Sequence, residues 1–292
     1  MRYNAIQSFA IGCILTGVWI CTGCEVINPD ETLPTTIKVE PFDFQVEDGQ
    51  GSAMNKITEV WVYANNSFVG AFLPPAQIYY LPEGSTQFTF RPGIRNNGIA
   101  NDAIVYPLFT GYTMTLNAAA GQVFEVQPIT SYKPETTFAF LSDFELGNPF
   151  VDNRDTVAAS KMVQSNLDVF EGQYAGRIVM SKAAHFIEVG HSIPMSDLPA
   201  DGTPVYLEFR YKSETEMSIG LLGIDLTGQS FSNFFYLVKP SENWNMLYIE
   251  LTDLVRASAL PGYKILFRSQ YPSGGTQDEY NIYLDNIKVV HL

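Results

Sequence analysis

The sequence predicts an all-β protein made of two sandwiches in series. Three observations carry this. Aromatic residues are abundant, with 20 Phe and 16 Tyr among 292 residues, and they favour strands over helices. The 22 Gly and 17 Pro are spread along the chain at turn-like intervals, and short alternating runs lie between them. Long helical periodicities are scarce, and the length suits two domains of ordinary size.

Residues 1–23 have the layout of a secretory signal. Arg2 is the only charge, an apolar run extends from about Phe9 to Ile20, and Thr22 and Gly23 precede Cys24. The run is shorter than the roughly 20 residues a spanning helix needs, so a cleaved signal fits better than a retained span. Thr22-Gly23-Cys24 resembles the bacterial lipoprotein lipobox, with Cys21 where that family usually has Leu. A second candidate, Ala10-Ile11-Gly12-Cys13, would leave too short an apolar region. The resemblance implies that residues 1–23 are removed and that the Cys24 thiol carries a diacylglycerol. Each buried methylene contributes about 0.8 kcal/mol, and two or more chains give stable anchoring. Residues 24–37, polar and punctuated by Pro29 and Pro34, read as a tether.

The three cysteines are Cys13, Cys21 and Cys24, so the processed chain keeps one and forms no internal disulfide. The formal net charge is −14, with no basic cluster. That composition is a poor match for nucleic acid or anionic head groups.

Residues 38–134 read as the first β domain. Ile57 to Tyr63 and Ser67 to Leu73 form a predicted hairpin around Asn65-Asn66, since Asn tolerates the left-handed backbone of a tight turn. Pro74-Pro75 ends the return strand. Pro82-Glu83-Gly84 makes a turn, Gln87 to Phe90 alternates, and Arg91-Pro92-Gly93 is expected to break the chain. Tyr112 to Leu116 and Val123 to Val126 complete the set. This run, with Leu81-Pro82-Glu83-Gly84 inside it, resembles the small immunoglobulin-like or PEGA-type modules of bacterial surface proteins, over about 40 residues.

Residues 135–292 read as the second domain. The domain opens with Thr137 to Glu145 and closes with Tyr280 to Val290, and between them strands are expected at Pro204 to Lys212, Ser218 to Leu222, Phe234 to Val238, Trp244 to Leu251 and Tyr263 to Arg268. A short helix is expected at Leu251 to Ala257, capped by Thr252-Asp253. Asp143-Phe144-Glu145, Glu171 to Gly176, Trp244 to Ile249 and Tyr283 to Ile287, in that order, resemble a galactose-binding-like jelly roll, a fold common among carbohydrate-binding modules. The fold is shared by protein-binding and structural domains, so it does not name a ligand.

Strand parity gives the candidate ligand face. If the aliphatic sets Val205/Leu207/Phe209 and Leu247/Ile249/Leu251 point inward, then Tyr206, Glu208, Arg210, Trp244, Tyr248 and Arg268 point outward. Flat rings beside Arg and Glu suit sugars, whose C–H faces stack on rings while hydroxyls bond to charged groups. The competing reading packs Trp244 and Tyr248 under a loop or against the first domain. For metal, the jelly-roll resemblance implies a structural calcium joining the first and last strands. Asp143, Glu145 and Asp285 match those places by type. The alternative makes Asp285-Asn286 a bulge or turn and leaves Asp143 and Glu145 in solvent. His185, His191 and His291 sit in no zinc or nucleophile motif, and no catalytic pair stands out. Asp155-Thr156-Val157 resembles the short O-glycosylation motif of Bacteroidota-type bacteria, and Asn65-Asn66-Ser67 matches an N-glycosylation sequon.

The sequence therefore predicts a lipoprotein anchored in the outer membrane, at the cell surface or facing the periplasm. The expected role is non-enzymatic glycan binding with no cofactor required, the structural calcium being one of the two open readings of Asp143, Glu145 and Asp285. Its runner-up is an accessory subunit of an outer-membrane protein complex, and a jelly-roll hydrolase or lyase comes third.

Overall fold

A computed structural model describes residues 31–81 and 84–292. The signal, Cys24, the first part of the tether and Pro82-Glu83 of the expected turn lie outside the described residues. Among the described residues no helix is long and apolar enough to cross a membrane.

The first sandwich holds ten strands. They are β1 (Thr35–Val39), β2 (Asp43–Gln45), β3 (Glu59–Ala64), β4 (Ser67–Phe72), β5 (Ala76–Tyr80), β6 (Gly84–Arg95), β7 (Ala103–Val105), β8 (Tyr112–Ala118), β9 (Val123–Val126) and β10 (Ile129–Ser131). One sheet has the order β5-β1-β9, with β1 antiparallel to β5 and parallel to β9. The facing sheet runs β4-β3-β6-β7, with β8 also on β6. Ile37, Val39, Val60, Val62, Phe88, Phe90 and Leu116 fill the space between them. The β3–β4 hairpin turns at Asn65 and Asn66, both with positive φ (47° and 66°), which Asn adopts more readily than most residues.

Two expectations change here. Thr35 to Ile37 belong to β1, so the last residues assigned to the tether are part of the sheet. Arg91-Pro92-Gly93 does not break the chain, because β6 continues through it for 12 residues. Pro92 has no N–H to lose, its fixed φ suits extended backbone, and its carbonyl still accepts the Tyr106 N–H at 3.0 Å.

The second sandwich contains β11 (Thr137–Ser142), β12 (Asp152–Asn153), β13 (Met162–Ser165), β14 (Ala175–Ser181), β15 (Phe186–Gly190), β16 (Met195–Ser196), β17 (Val205–Ser213), β18 (Met217–Ile224), β19 (Ser230–Val238), β20 (Ser241–Glu250), helix α1 (Thr252–Ser258), β21 (Gly262–Gln270) and β22 (Glu279–His291). One sheet runs β13-β14-β22-β17-β20, with β11 also on β22. The other runs β12-β15-β21-β18-β19, with β16 on β21. The core is the inward parity set of both: Val205, Leu207, Phe209, Leu247, Ile249, Ile265, Phe267, Ile282 and Leu284. The chain is thus all-β sandwich, as its alternation predicts. The one expected short helix is present at Thr252–Ser258, but its cap differs. No side chain caps it. Thr252 Oγ1 instead accepts the Val205 N–H at 3.1 Å and ties the helix to β17.

A third apolar cluster joins the two sandwiches. Phe44, Ile94, Tyr106, Leu108, Phe109 and Tyr132 of the first meet Tyr206, Met246, Tyr248 and Val290 of the second. The β6–β7 turn seats against β20: Asn97 N–H donates to Tyr248 O at 2.9 Å, and the Glu250 N–H donates to Asn97 Oδ1 at 2.9 Å. Gly98 lies so close to this strand, at φ +65°, that a Cβ there would meet Leu247 Cδ2 at 2.5 Å.

Candidate functional site

The six predicted ligand residues do not form one face. All six point away from the jelly-roll core, as parity requires, but they divide between its two sheets. Tyr206, Glu208, Arg210, Trp244 and Tyr248 lie on the β13-β14-β22-β17-β20 sheet, and Arg268 lies on the other.

Four of the five on the first of these sheets are covered. Tyr206, Glu208, Arg210 and Tyr248 are buried, because the first sandwich packs over that half of the sheet. The Tyr106 ring lies 5.0 Å from both Tyr206 and Tyr248. Its hydroxyl donates to Glu208 Oε1 at 2.5 Å, and the Tyr132 hydroxyl donates to Oε2 at 2.6 Å. Lys288 Nζ donates to Tyr132 Oη (3.4 Å) and to Ser52 O (3.2 Å), which links it to the same carboxylate through the phenol. Tyr248 Oη accepts the Lys56 N–H at 3.0 Å. Burial pushes the Glu208 carboxyl up from its ordinary range, while Lys288 and the two phenols pull it back down. For Tyr248 the competing sequence reading, packing against the first domain, is the observed one. This pattern binds two domains together; it does not offer them to a soluble ligand.

The metal expectation also resolves into separate roles. Asp285 is buried, and its carboxylate accepts the N–H groups of Phe170, Glu171 and Asn286 at 3.3, 3.3 and 2.8 Å. Burial raises its pKa to about 7 against these three donors. Asn286 takes φ 48°, and the β17–β22 register shifts opposite it, between Glu208 and Arg210. Asp285-Asn286 is therefore a bulge. Glu145 Oε1 accepts Gln173 and Tyr174 N–H, and Asp143 Oδ1 accepts Glu145 N–H. Among the described residues no group of three or more His, Cys, Asp or Glu side chains converges as metal ligands would.

On the outer face of the β12-β15-β21-β18-β19 sheet Leu222 and Leu266 are buried, while Phe186, Ser218, Phe234 and Arg268 are partly exposed. Arg154, which follows edge strand β12, reaches Ser230 Oγ on the opposite edge strand β19 at 3.4 Å. Two glycines let large side chains lie flat on the floor. A Cβ on Gly190 would meet Leu266 Cδ2 at 2.8 Å, and one on Gly220 would meet the Phe234 ring at 2.9 Å.

Above this floor lies a paired array of charges. Arg268 Nη2 donates to Glu188 Oε2 at 2.6 Å, and Arg154 Nε lies 3.7 Å from Glu188 Oε1. Lys264 Nζ donates to Asp152 Oδ2 at 2.7 Å, and Arg154 Nη1 lies 3.8 Å from the same oxygen. The Arg268 guanidinium carbon sits 3.4 Å from the Phe234 ring centroid and 5.9 Å from that of Phe186. Beside it, a depression of about 200 Å³ is lined by Phe186, Ser218, Leu237, Arg268 and Gln270. Ion-paired and stacked side chains of this kind are held in one geometry before a ligand arrives, which lowers the ordering cost of binding.

Sequence parity placed Arg268 correctly on an outward face. It missed Phe186, Phe234, Glu188 and Arg154, because nothing local marks which of two sheets a neighbouring domain will cover. Thr156 of the O-glycosylation motif is exposed at the rim of this face, in a turn where Asp155 Oδ1 accepts the Val157 N–H at 2.7 Å. Of the histidines, His185 is exposed and His191 is buried between Phe140 and Phe150. His291 Nδ1 lies 2.7 Å from Leu292 O.

No family model and no curated protein matches the chain. Its structural neighbours are β-sandwich carbohydrate-binding modules. A family 30 module of a cellulosomal cellulase of Clostridium thermocellum aligns at 14% identity and TM-score 0.40, over 53% of this chain and 96% of that one. The CBM22-1 xylan-binding domain of Paenibacillus barcinonensis Xyn10C aligns at 10% identity and TM-score 0.37, over 53% and 94%. A structure described by the promiscuous specificity of carbohydrate-binding modules of the β-sandwich superfamily aligns at 15% identity and TM-score 0.39, over 89% and 99%.

Proposed function

We propose that this protein is a non-catalytic glycan-binding lipoprotein, held at the outer membrane by a lipid on Cys24, that takes a polysaccharide strand onto the Arg268 face of its second sandwich. The observation that supports this reading is a partly exposed patch of rings and ion-paired charges. The Arg268–Glu188 pair stands beside the Phe234 and Phe186 rings, and Arg154 reaches toward Ser230. Rings offer platforms for sugar C–H faces. Guanidinium and carboxylate groups offer charge-assisted hydrogen bonds to hydroxyls. Phe234 keeps Arg268 in place, so loss of either weakens the same contact.

The test is retention on native affinity gels loaded with soluble polysaccharides. The wild-type chain is expected to be retarded by at least one of them. Arg268→Ala and Phe234→Ala are expected to bind about tenfold more weakly, equivalent to about 1.4 kcal/mol. Retention by no polysaccharide, together with stable recovery of an outer-membrane partner from detergent-solubilised membranes, would replace this reading with the accessory-subunit one.

A further inference from the structure

The first sandwich covers only half of the β13-β14-β22-β17-β20 sheet, and the other half carries an organised row of side chains. Trp244 on β20, Lys212 on β17, Tyr283 on β22 and Arg177 on β14 all point outward and are all half-buried. The ladders set Lys212 opposite Tyr283, and Tyr283 opposite Arg177. A single loop carboxylate fixes one end of the row. Asp168, between β13 and β14, accepts the Trp244 indole N–H at one oxygen (2.9 Å) and Lys212 Nζ at the other (2.5 Å). Phe170 of the same loop packs edge-on against Trp244 at 5.8 Å, and Arg210 stacks on the other ring of that pair, 3.9 Å from the Phe170 centroid. Trp244 and Tyr283 stand 6.4 Å apart. Next to them opens a cavity of about 600 Å³, lined by Lys212, Glu214, Ser241, Glu242, Asn281 and Tyr283.

We infer that this row and its cavity are a second ligand site, on the face opposite the Arg268 one, and that its ligand is a neutral sugar unit. The volume falls in the range of small-molecule sites, about 300–1,000 Å³. Two aromatic rings held in fixed positions at its edge supply stacking surfaces with little rotamer entropy left to lose. The lining charge selects among sugars. Lys212 is already paired with Asp168, so Glu214 and Glu242 leave the lining with three carboxylates to one cation. Glu214 Oε2 accepts the Asn281 N–H and amide at 2.6 and 3.0 Å, which leaves its other oxygen for a hydroxyl donor. A uronate or sulfate would meet a net negative lining, while a neutral pyranose meets acceptors, amides and rings.

This site rests on the glycan reading given above and extends it: with both faces occupied, one chain bridges two glycan strands. The experiment is isothermal titration of the full chain in detergent with cellohexaose, xylohexaose, mannohexaose and trigalacturonate. The expected result is two sites per chain for a neutral hexaose. Trp244→Ala and Tyr283→Ala are expected to reduce this to one, with the remaining affinity unchanged, and Arg268→Ala to reduce it to one while sparing the Trp244 site. Trp244→Phe and Asp168→Asn, which keep a ring or the loop's shape, are expected to weaken that site at least fivefold and carry the test if the alanine variants fail to fold. Unchanged stoichiometry in the Trp244 and Tyr283 variants, with loss in Arg268→Ala, overturns the second site and leaves the Arg268 face standing. Complete loss in Trp244→Ala with none in Arg268→Ala keeps this site and overturns the Arg268 one. Absence of binding to every probe overturns both, and tighter binding of trigalacturonate than of neutral hexaoses at this site overturns the neutral-sugar assignment.

Discussion

Replacing Glu208 with Gln tests how the two sandwiches are joined. In the wild type its carboxylate is buried and accepts two phenol donors, Tyr106 and Tyr132, at 2.5 and 2.6 Å, with Lys288 bonded to the second phenol. Burial and the adjacent carboxylate push both phenols well above their ordinary pKa, so both remain donors. Gln has the same shape but one acceptor oxygen and no charge. One phenol keeps its acceptor, and the other meets an NH₂ group. A hydrogen bond to a charged group contributes about 1.5–3 kcal/mol, and removing one partner of a buried charge pair costs about 3–5 kcal/mol. Because Lys288 also keeps the Ser52 carbonyl, the lower end applies, and Glu208→Gln is expected to cost about 3 kcal/mol. The assay is urea unfolding at neutral pH, followed by tryptophan fluorescence and far-UV circular dichroism. The expected signature is a lower midpoint with the two probes no longer coincident, because Trp61 and Trp244 lie in different sandwiches. Tyr106→Phe and Tyr132→Phe should each cost less than Glu208→Gln, and their double mutant should be non-additive, since they share one carboxylate. A Glu208→Gln loss below about 0.5 kcal/mol, within the range of substitutions away from such features, would mean that Glu208 is neutral in the folded protein and would refute the charged-acceptor account.

Three further outcomes follow from the geometry. His191 is fully buried against Phe140 and Phe150, and burial lowers its pKa to about 4. A base depressed on folding contributes stability above its unfolded value of about 6.5, and that stability is lost as pH falls toward 4, so His191→Leu should flatten the melting temperature between those values relative to wild type. Gly98→Ala is expected to destabilise by about 1–3 kcal/mol in urea titrations, since it adds backbone strain at φ +65° to a 2.5 Å approach to Leu247. Gly220→Ala, whose Cβ would meet the Phe234 ring at 2.9 Å, should displace that ring and lower glycan retention more than it lowers stability. An unchanged affinity with normal folding would show that Phe234 does not contact the ligand.

Which side of a strand faces inward was legible from alternation alone. Val205, Leu207 and Phe209 point into the core, and Tyr206, Glu208 and Arg210 point out, as period-two patterning requires. What an outward side chain meets was not legible, because that depends on a partner surface more than 100 residues away in sequence. Tyr106 and Glu208 belong to different sandwiches, and no local pattern announces their contact. The same limit hid the Arg268 site. Glu188 and Arg268 are 80 residues apart and meet only because β15 and β21 are neighbours in the sheet. Asn65-Asn66 was readable because its backbone preference is intrinsic to the residue, and Pro92 misled because a proline breaks a strand only where its missing N–H is needed.

The covered half-sheet also decides what kind of ligand site the protein can offer. Tyr206, Glu208, Arg210 and Tyr248 have the composition of a sugar-binding surface, with rings beside a paired acid and base, yet they serve as glue between domains. Composition alone does not separate these uses, and accessibility does. Arg268 and Trp244 are the two predicted residues that no part of the first sandwich covers, and each stands in a fixed frame of rings and ion pairs. The buried Glu208 array bears on both. It holds the first sandwich in one register on the second, so the edge of the cover, and with it the line between glue and open surface, does not drift. If Glu208→Gln loosens that register, the Trp244 site, which lies on the same sheet as the interface, should lose affinity, while the Arg268 site on the opposite sheet should keep it. Equal loss at both sites would mean that the interface supports the whole sandwich and does not act on its own sheet alone.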